Sequence, residues 1–142
     1  MKDGQMLLVS ACLAGFPCRY DGGTNFDARI AELVHSGKAI PVCPEQLGGL
    51  PTPRSPAEKR DGLIVNREGR DVSAAFQKGA AAVLQIARIY GCTAAILKSR
   101  SPSCGKGRIY DGSFTGTLID GSGTAAALLL ANGIEVQTEE EY

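Results

Sequence analysis

Three short apolar runs, residues 6–10, 39–42 and 93–97, and a last strand candidate, residues 134–138, alternate along the chain with stretches of helical period. Runs that are apolar at nearly every position read as strands covered on both faces. In residues 25–36, Ile30, Leu33 and Val34 share one helical face, and Gly37 follows as a stop signal. In residues 71–90, Phe76, Ala80, Val83, Leu84 and Ala87 form the apolar stripe, Asp71 or Ser73 can cap it, and Gly91 ends it. Residues 123–132 form an Ala/Leu helix closed by Gly133. Strands alternating with helices define an α/β unit built on a mainly parallel sheet. The expectation is a single-domain, Rossmann-like three-layer sandwich spanning residues 1–142.

Pro41 weakens the second strand. Residues 63–66 and 115–119 are shorter extended candidates. Residues 11–23, 43–62 and 98–112 read as long loops, a length that in a compact domain usually carries function. Residues 139–142 read as a solvated tail.

Charge and cysteine content narrow the function classes. Lys+Arg and Asp+Glu are 15 each, so there is no positive surplus for a general nucleic-acid or membrane-surface binder. Five cysteines cannot complete an intrachain disulfide framework, which points to an intracellular, cytoplasmic chain with reduced thiols. Val9-Ser10-Ala11-Cys12 mimics a lipoprotein cleavage site, but its apolar run is shorter than the roughly 7–15 residues of a signal-peptide core. No apolar run approaches the roughly 18 residues of a membrane span.

In an open parallel sheet, ligands bind outside the carboxyl ends of the strands. Cys12 follows the first strand, Cys43 the second, and Cys104 lies in the loop after the third, so the three can meet in one crevice. Cys92 precedes its strand and reads as a buried small hydrophobe at the opposite end. Cys43-Pro44-Glu45 sets a carboxylate two residues after a thiol. Proline restricts Cys43 to an extended conformation, and an extended continuation would turn both side chains to one side. Ser101-Pro102-Ser103-Cys104-Gly105 surrounds another thiol with hydroxyls. Lys98, Arg100, Lys106 and Arg108 flank it with no acid between 98 and 108. Such cations stabilise a thiolate, balance an anionic cluster or hold a phosphate.

Spacing alone does not name a metal. The pair Cys12 and Cys18 is set wider than zinc ligands usually are, and the common iron–sulfur runs are missing. Three thiolates without a fourth leave a coordination position open, which suits catalysis. Gly121-Ser122-Gly123-Thr124-Ala125-Ala126 fits a dinucleotide fingerprint, but glycines that let a helix start pack closely are the preferred reading. His35, the sole histidine, reads as a helix C-terminal residue.

Taken together, Val9-Ser10-Ala11-Cys12-Leu13, Cys18-Arg19-Tyr20-Asp21-Gly22, Cys43-Pro44-Glu45 with Gly48-Gly49-Leu50, Pro53-Arg54, Pro56-Ala57-Glu58, and Lys98 with Ser101-Pro102-Ser103-Cys104-Gly105 resemble the thiouracil desulfidase family. The resemblance covers nearly the whole chain. It implies an oxygen-sensitive [4Fe-4S] cluster held by Cys12, Cys43 and Cys104, with one iron open to a thiocarbonyl sulfur. It implies non-redox removal of sulfur from a thio-nucleobase or thio-nucleoside such as 2-thiouracil, giving uracil and hydrosulfide. Glu45 and Ser101 match the acid and hydroxyl expected beside the cluster, with Glu45 as general base. Ser101 or Ser103 can hydrogen-bond the ring or the leaving sulfur, and Lys98 and Arg100 can hold the substrate's carbonyl edge or a phosphate. Cys18 is not counted as a ligand, because the family tolerates other residues there. The expected partner is that small molecule, with no membrane, no stable nucleic acid and an unidentified sulfur acceptor. Two other classes remain open: a non-catalytic zinc- or cluster-binding module, and a thiol redox protein using Cys12 and Cys18.

Overall fold

The computed structural model describes residues 4–142. In chain order the elements are β1 (Leu7–Ser10), a 3-10 turn (Ala11–Ala14), α1 (Ala28–His35), β2 (Ala39–Val42), α2 (Pro44–Leu47), β3 (Ala57–Arg60), β4 (Leu63–Asn66), α3 (Ser73–Tyr90), β5 (Ala94–Leu97), β6 (Arg108–Tyr110), β7 (Leu118–Asp120), α4 (Thr124–Ala131) and β8 (Glu135–Thr138). Four strands form a parallel sheet in the order β2-β1-β5-β8. Side chains on a strand alternate between its faces. Leu8 of β1 joins Val83, Leu84, Ala126 and Leu129 of α3 and α4 on one face. Leu7 and Val9 join Leu13 of the 3-10 turn and Ile30 of α1 on the other. Ala95 and Leu97 of β5 point to the first cluster, Ala94 and Ile96 to the second. Both faces are covered, so the molecule has three layers, and β1 and β5 at its centre are buried along their whole length. Each large side chain buried this way contributes about 1.5–3 kcal/mol. Pro41 is tolerated because β2 is an edge strand.

The chain leaves β1 toward β2 on one side and β5 toward β8 on the other, so the strand order reverses between β1 and β5. The crevice beyond their carboxyl ends is the topological switch point, where open α/β sheets bind ligands. Ser10 and Lys98, the residues at those two ends, are tied together: the Lys98 amide donates to Ser10 Oγ at 2.8 Å.

Several expected boundaries shift. Asn25 precedes α1, because the Asp27 side chain caps the helix by accepting the Arg29 amide. Val72 is the N-cap of α3, while Asp71 accepts the Ser73 amide and Ser73 Oγ accepts the Ile64 amide. The expected loop 43–62 contains α2 and β3, and β3 pairs antiparallel with β4. The third expected loop contributes β6, which pairs with β7. The tail is not simply solvated. Glu139, Glu140 and Glu141 bind Lys98, Arg100 and Lys106, and Arg29 donates to the Tyr142 and Glu139 carbonyls. The acids that balance the basic loop are absent from its own segment and arrive from Asp120 on β7 and from Glu139 to Glu141.

The position of α2 rests on two glycines. A Cβ on Gly48 would lie 2.0 Å from the Ala75 carbonyl oxygen, and one on Gly79 would lie 1.9 Å from that of Pro44. In an exposed helix, Gly→Ala stabilises by about 1 kcal/mol. Here the sign should reverse, since overpacking costs about 1–3 kcal/mol or more. Gly79→Ala should lower Tm by roughly 5–10 °C in calorimetry, at about 2–4 °C per kcal/mol for a chain of this size. An unchanged or higher Tm would show that the two helices part without cost.

Candidate functional site

A cavity of about 480 Å³ opens beyond the carboxyl ends of β2, β1 and β5. Cys12, Cys43, Cys104, Glu45, Ser101, Ser103, Lys98 and Arg100 all line it. Each arrives from the segment after a strand end, as strand-end topology requires. Cys92 lies elsewhere, buried in the core beneath α3. His35 is the last residue of α1.

Cys18, outside the expected ligand set, also lines the cavity and is buried. Its thiol hydrogen-bonds Cys12 and Cys43, which raises its own pKa. The same bonds, outweighing burial, lower Cys12 to about 7 and Cys43 to about 6. Asn25 Nδ2 also donates to Cys12 Sγ at 3.4 Å, and the Gln46 amide favours the Cys43 thiolate. Cys104 differs: burial pushes its pKa up to about 12 despite hydrogen bonds from Ser10 and Ser103. Among the described residues, no three His, Cys, Asp or Glu side chains converge on a point for a single metal ion. Cys12, Cys18, Cys43 and Cys104 all line the cavity.

Glu45 reaches the cavity by a different route from the one its sequence neighbours suggested. Cys43 is extended, as the following proline demands, but Pro44 is the first residue of α2 and the chain turns helical there. Glu45 therefore sits in the first turn of a short helix packed on α3. Its Oε1 accepts Arg54 Nε–H at 2.9 Å, and its Oε2 accepts the Ser103 hydroxyl at 2.9 Å. Ser101 Oγ lies 3.0 Å from Ser103 Oγ and accepts the amides of Ser103 and Cys104. A continuous hydroxyl chain thus links Ser101 to the carboxylate.

Arg54 was not singled out for a site role from the sequence, although it stands in the quoted Pro53-Arg54 pair. Its side chain is 7% exposed and that of Glu45 16%. It also donates to the carbonyls of Cys18 and Pro51 and to Thr52 Oγ1, so one guanidinium ties α2 to the Cys18 loop. A buried partner for a carboxylate nine residues away leaves no periodic trace in a sequence.

The basic loop is largely paired. Lys98 meets Glu139, Arg100 meets Glu140, Lys106 meets Glu141 and Arg108 meets Asp120. Lys98 and Arg100 line the cavity, whereas Lys106 and Arg108 do not. Glu139 also accepts the Ser99 amide and hydroxyl; these bonds and Lys98 hold its pKa below the carboxylate range against the opposing effect of burial.

The helix start at Gly123 serves packing. A Cβ there would lie 2.4 Å from the Ser103 carbonyl carbon. The first amides of α4, at Thr124, Ala125 and Ala126, donate to the carbonyls of Pro102 and Ser103. The groups that would cradle a pyrophosphate are spent on fixing the Cys104 loop.

The fold and this crevice describe an α/β protein whose thiols and carboxylate–hydroxyl chain meet at a topological switch point. The chain belongs to the 2-thiouracil desulfurase family, which it matches over residues 7–141. It is 45% identical to the uncharacterized protein YbbK of Bacillus subtilis (strain 168), covering 96% of this chain and 97% of that one. Among solved structures it resembles the [4Fe-4S]-dependent thiouracil desulfidase TudS, with a TM-score of 0.91 and 44% identity over 96% of this chain and 92% of that one. The α/β fold and the desulfidase class implied by the sequence resemblance are those of its family and of this neighbour.

Proposed function

We propose that the protein removes sulfur from a thiocarbonyl nucleobase such as 2-thiouracil, using a [4Fe-4S] cluster held by Cys12, Cys43 and Cys104. The observation that carries the reading is that these thiols share one switch-point cavity with the Glu45–Ser103–Ser101 chain. The donor set fits such a group. All three thiols line one cavity of about 480 Å³, space for a polynuclear cluster and a small heterocycle beside it. Hydrogen bonds from Cys18 lower the pKa of Cys12 and Cys43 and so ease their deprotonation, and a bound metal would supply the positive charge that the buried Cys104 lacks. When bound, the cluster offers an iron as Lewis acid to the thiocarbonyl sulfur.

The rest of the chemistry falls to the chain. Water adds its oxygen to the thiocarbonyl carbon, the C–S bond breaks, and sulfur leaves as hydrosulfide. Glu45 takes the water's proton at Oε2 as general base. Ser103 donates to that oxygen, and Ser101, whose Oγ already accepts two amides, donates to Ser103 Oγ; rotated toward a bound substrate, the Ser101 hydroxyl donates to the ring or the leaving sulfur instead. Lys98 and Arg100 present cationic heads, each held by a tail carboxylate, at the wall where a ring carbonyl or a phosphate would sit. Residues from Ser10 to Gly116 line this site, which supports a single desulfidase unit over residues 1–142.

The test is anaerobic reconstitution with iron and sulfide, followed by incubation with 2-thiouracil. Release of uracil and sulfide in equal amounts is expected. A colourless zinc protein would favour a binding module, and a metal-free protein with a reversible Cys12–Cys18 disulfide would favour a redox role. Arg100→Gln should raise KM several-fold with Tm nearly unchanged, because an exposed ion pair contributes only about 0–1 kcal/mol to stability. Unchanged KM for both base and nucleotide substrates would remove Arg100 from binding.

A further inference from the structure

Phe114 lines the same cavity with its backbone at φ 58, a left-handed conformation that a bulky residue rarely adopts. Such strain persists only where the surroundings impose it, and it gathers at binding sites. Here the surroundings are explicit. Glu58, on β3 and 9% exposed, spends Oε1 on the amides of Gly112 and Phe114, both at 3.0 Å. Arg60 of the same strand grips the Gly112 carbonyl through Nε and Nη2. Gly112 has a φ of 91 and no space for a side chain, since a Cβ would lie 2.7 Å from the Lys59 carbonyl oxygen. A buried carboxylate, an arginine and a glycine thus hold one half-exposed ring at the cavity wall. Phe114 takes no part in either core cluster.

Arg67 completes the arrangement. Its guanidinium carbon lies 5.7 Å from the Phe114 ring centroid. Among the described residues, it is the one cavity-lining cation without a carboxylate partner: Arg19 has Asp21, Arg54 has Glu45, Lys98 has Glu139 and Arg100 has Glu140. Its placement is explained by the ring rather than by an ion pair.

We infer that Phe114 is a specificity-determining residue, a platform on which the planar heterocycle of the substrate stacks, and that Glu58 is the positioning residue that holds it. The inference rests on the desulfidase reading for the identity of that heterocycle. Stacking recognises the flat π-face and leaves atom-specific contacts to the hydroxyl chain and Glu45.

The experiment uses reconstituted protein, with KM and kcat measured for 2-thiouracil and Kd for uracil by anaerobic equilibrium dialysis. Phe114→Leu should raise KM and Kd by roughly ten-fold to a hundred-fold, the usual cost of removing a base-stacking ring. Its kcat should stay within about threefold, the sign of lost binding that substrate and transition state share. Phe114→Tyr should restore parent values. Glu58→Ala should reproduce the Phe114→Leu defect, and the double variant should add little to it. Glu58→Gln, whose oxygen can still accept both amides, should stay near the parent. Parent-like KM in Phe114→Leu overturns the platform and leaves the desulfidase reading intact. A parent that binds uracil, more weakly in Phe114→Leu, yet never turns over 2-thiouracil overturns the desulfidase reading and leaves the platform. A parent that does neither overturns both.

Discussion

Replacing Cys12, Cys43 or Cys104 by alanine is expected to reduce bound iron and acid-labile sulfide to background after anaerobic reconstitution, and to abolish desulfidation. Each thiol reaches the one cavity from the segment after a different strand, Cys12 after β1, Cys43 after β2 and Cys104 after β5, so each supplies its own ligand. Cys18 is the instructive control. It touches Cys12 and Cys43 through hydrogen bonds and lines the same cavity. If it acts only around the ligands, Cys18→Ala should keep its iron under reconstitution while losing it more readily. Removing a group that supports the ligands typically weakens metal binding about 10–100-fold. Cys92→Ala should hold iron like the parent, since Cys92 is buried in the core beneath α3. Thermal unfolding of the metal-free proteins separates a ligand effect from a folding effect. Full iron content in any of the first three variants would remove that cysteine from the ligand set. Background iron in Cys18→Ala alone would put the fourth thiol in its place.

The sheet and the gathering of the thiols were legible in the sequence for a simple reason. Strands β1, β2 and β5 are apolar at nearly every position, α3 carries an uninterrupted stripe from Phe76 to Ala87, and the residues after strand ends must meet at one edge of the sheet. What escaped was set by pairings between segments distant in sequence. The polar run Ala57–Arg60 looks like loop until β4 pairs with it. The first helical turn after Cys43 is hidden because proline signals an extended residue before it and equally a helix start at it. Arg54 and the tail acids act on partners 9 and about 40 residues away, where no local pattern reports them. Glu58 shows the converse risk. As an acid close to the Glu45 motif it is an obvious second candidate for general base, yet its Oε1 is engaged by two backbone amides.

Glu45→Gln is expected to lower the rate of uracil release by about 10²–10⁴-fold, the usual contribution of a general base. The substitution keeps the side chain's size. Its oxygen can still accept from Arg54, and its amide can donate to Ser103 Oγ, since a hydroxyl also accepts. What it loses is the ability to take a proton and the charge that balances a nearly buried guanidinium. Removing one partner of a buried ion pair costs about 3–5 kcal/mol when nothing replaces it. Here the cost should be smaller, because Arg54 retains the carbonyls of Cys18 and Pro51 and the Thr52 hydroxyl. Arg54→Ala, by contrast, strips three of these contacts and leaves Glu45 charged, so it should unfold at a lower temperature than Glu45→Gln. The decisive measurement is single-turnover uracil release from a Glu45→Gln protein whose iron content matches the parent. A rate within a few-fold of the parent would move the base role away from Glu45, with Glu58, the other cavity-lining carboxylate among the described residues and engaged at Oε1 by two backbone amides, the next candidate to replace.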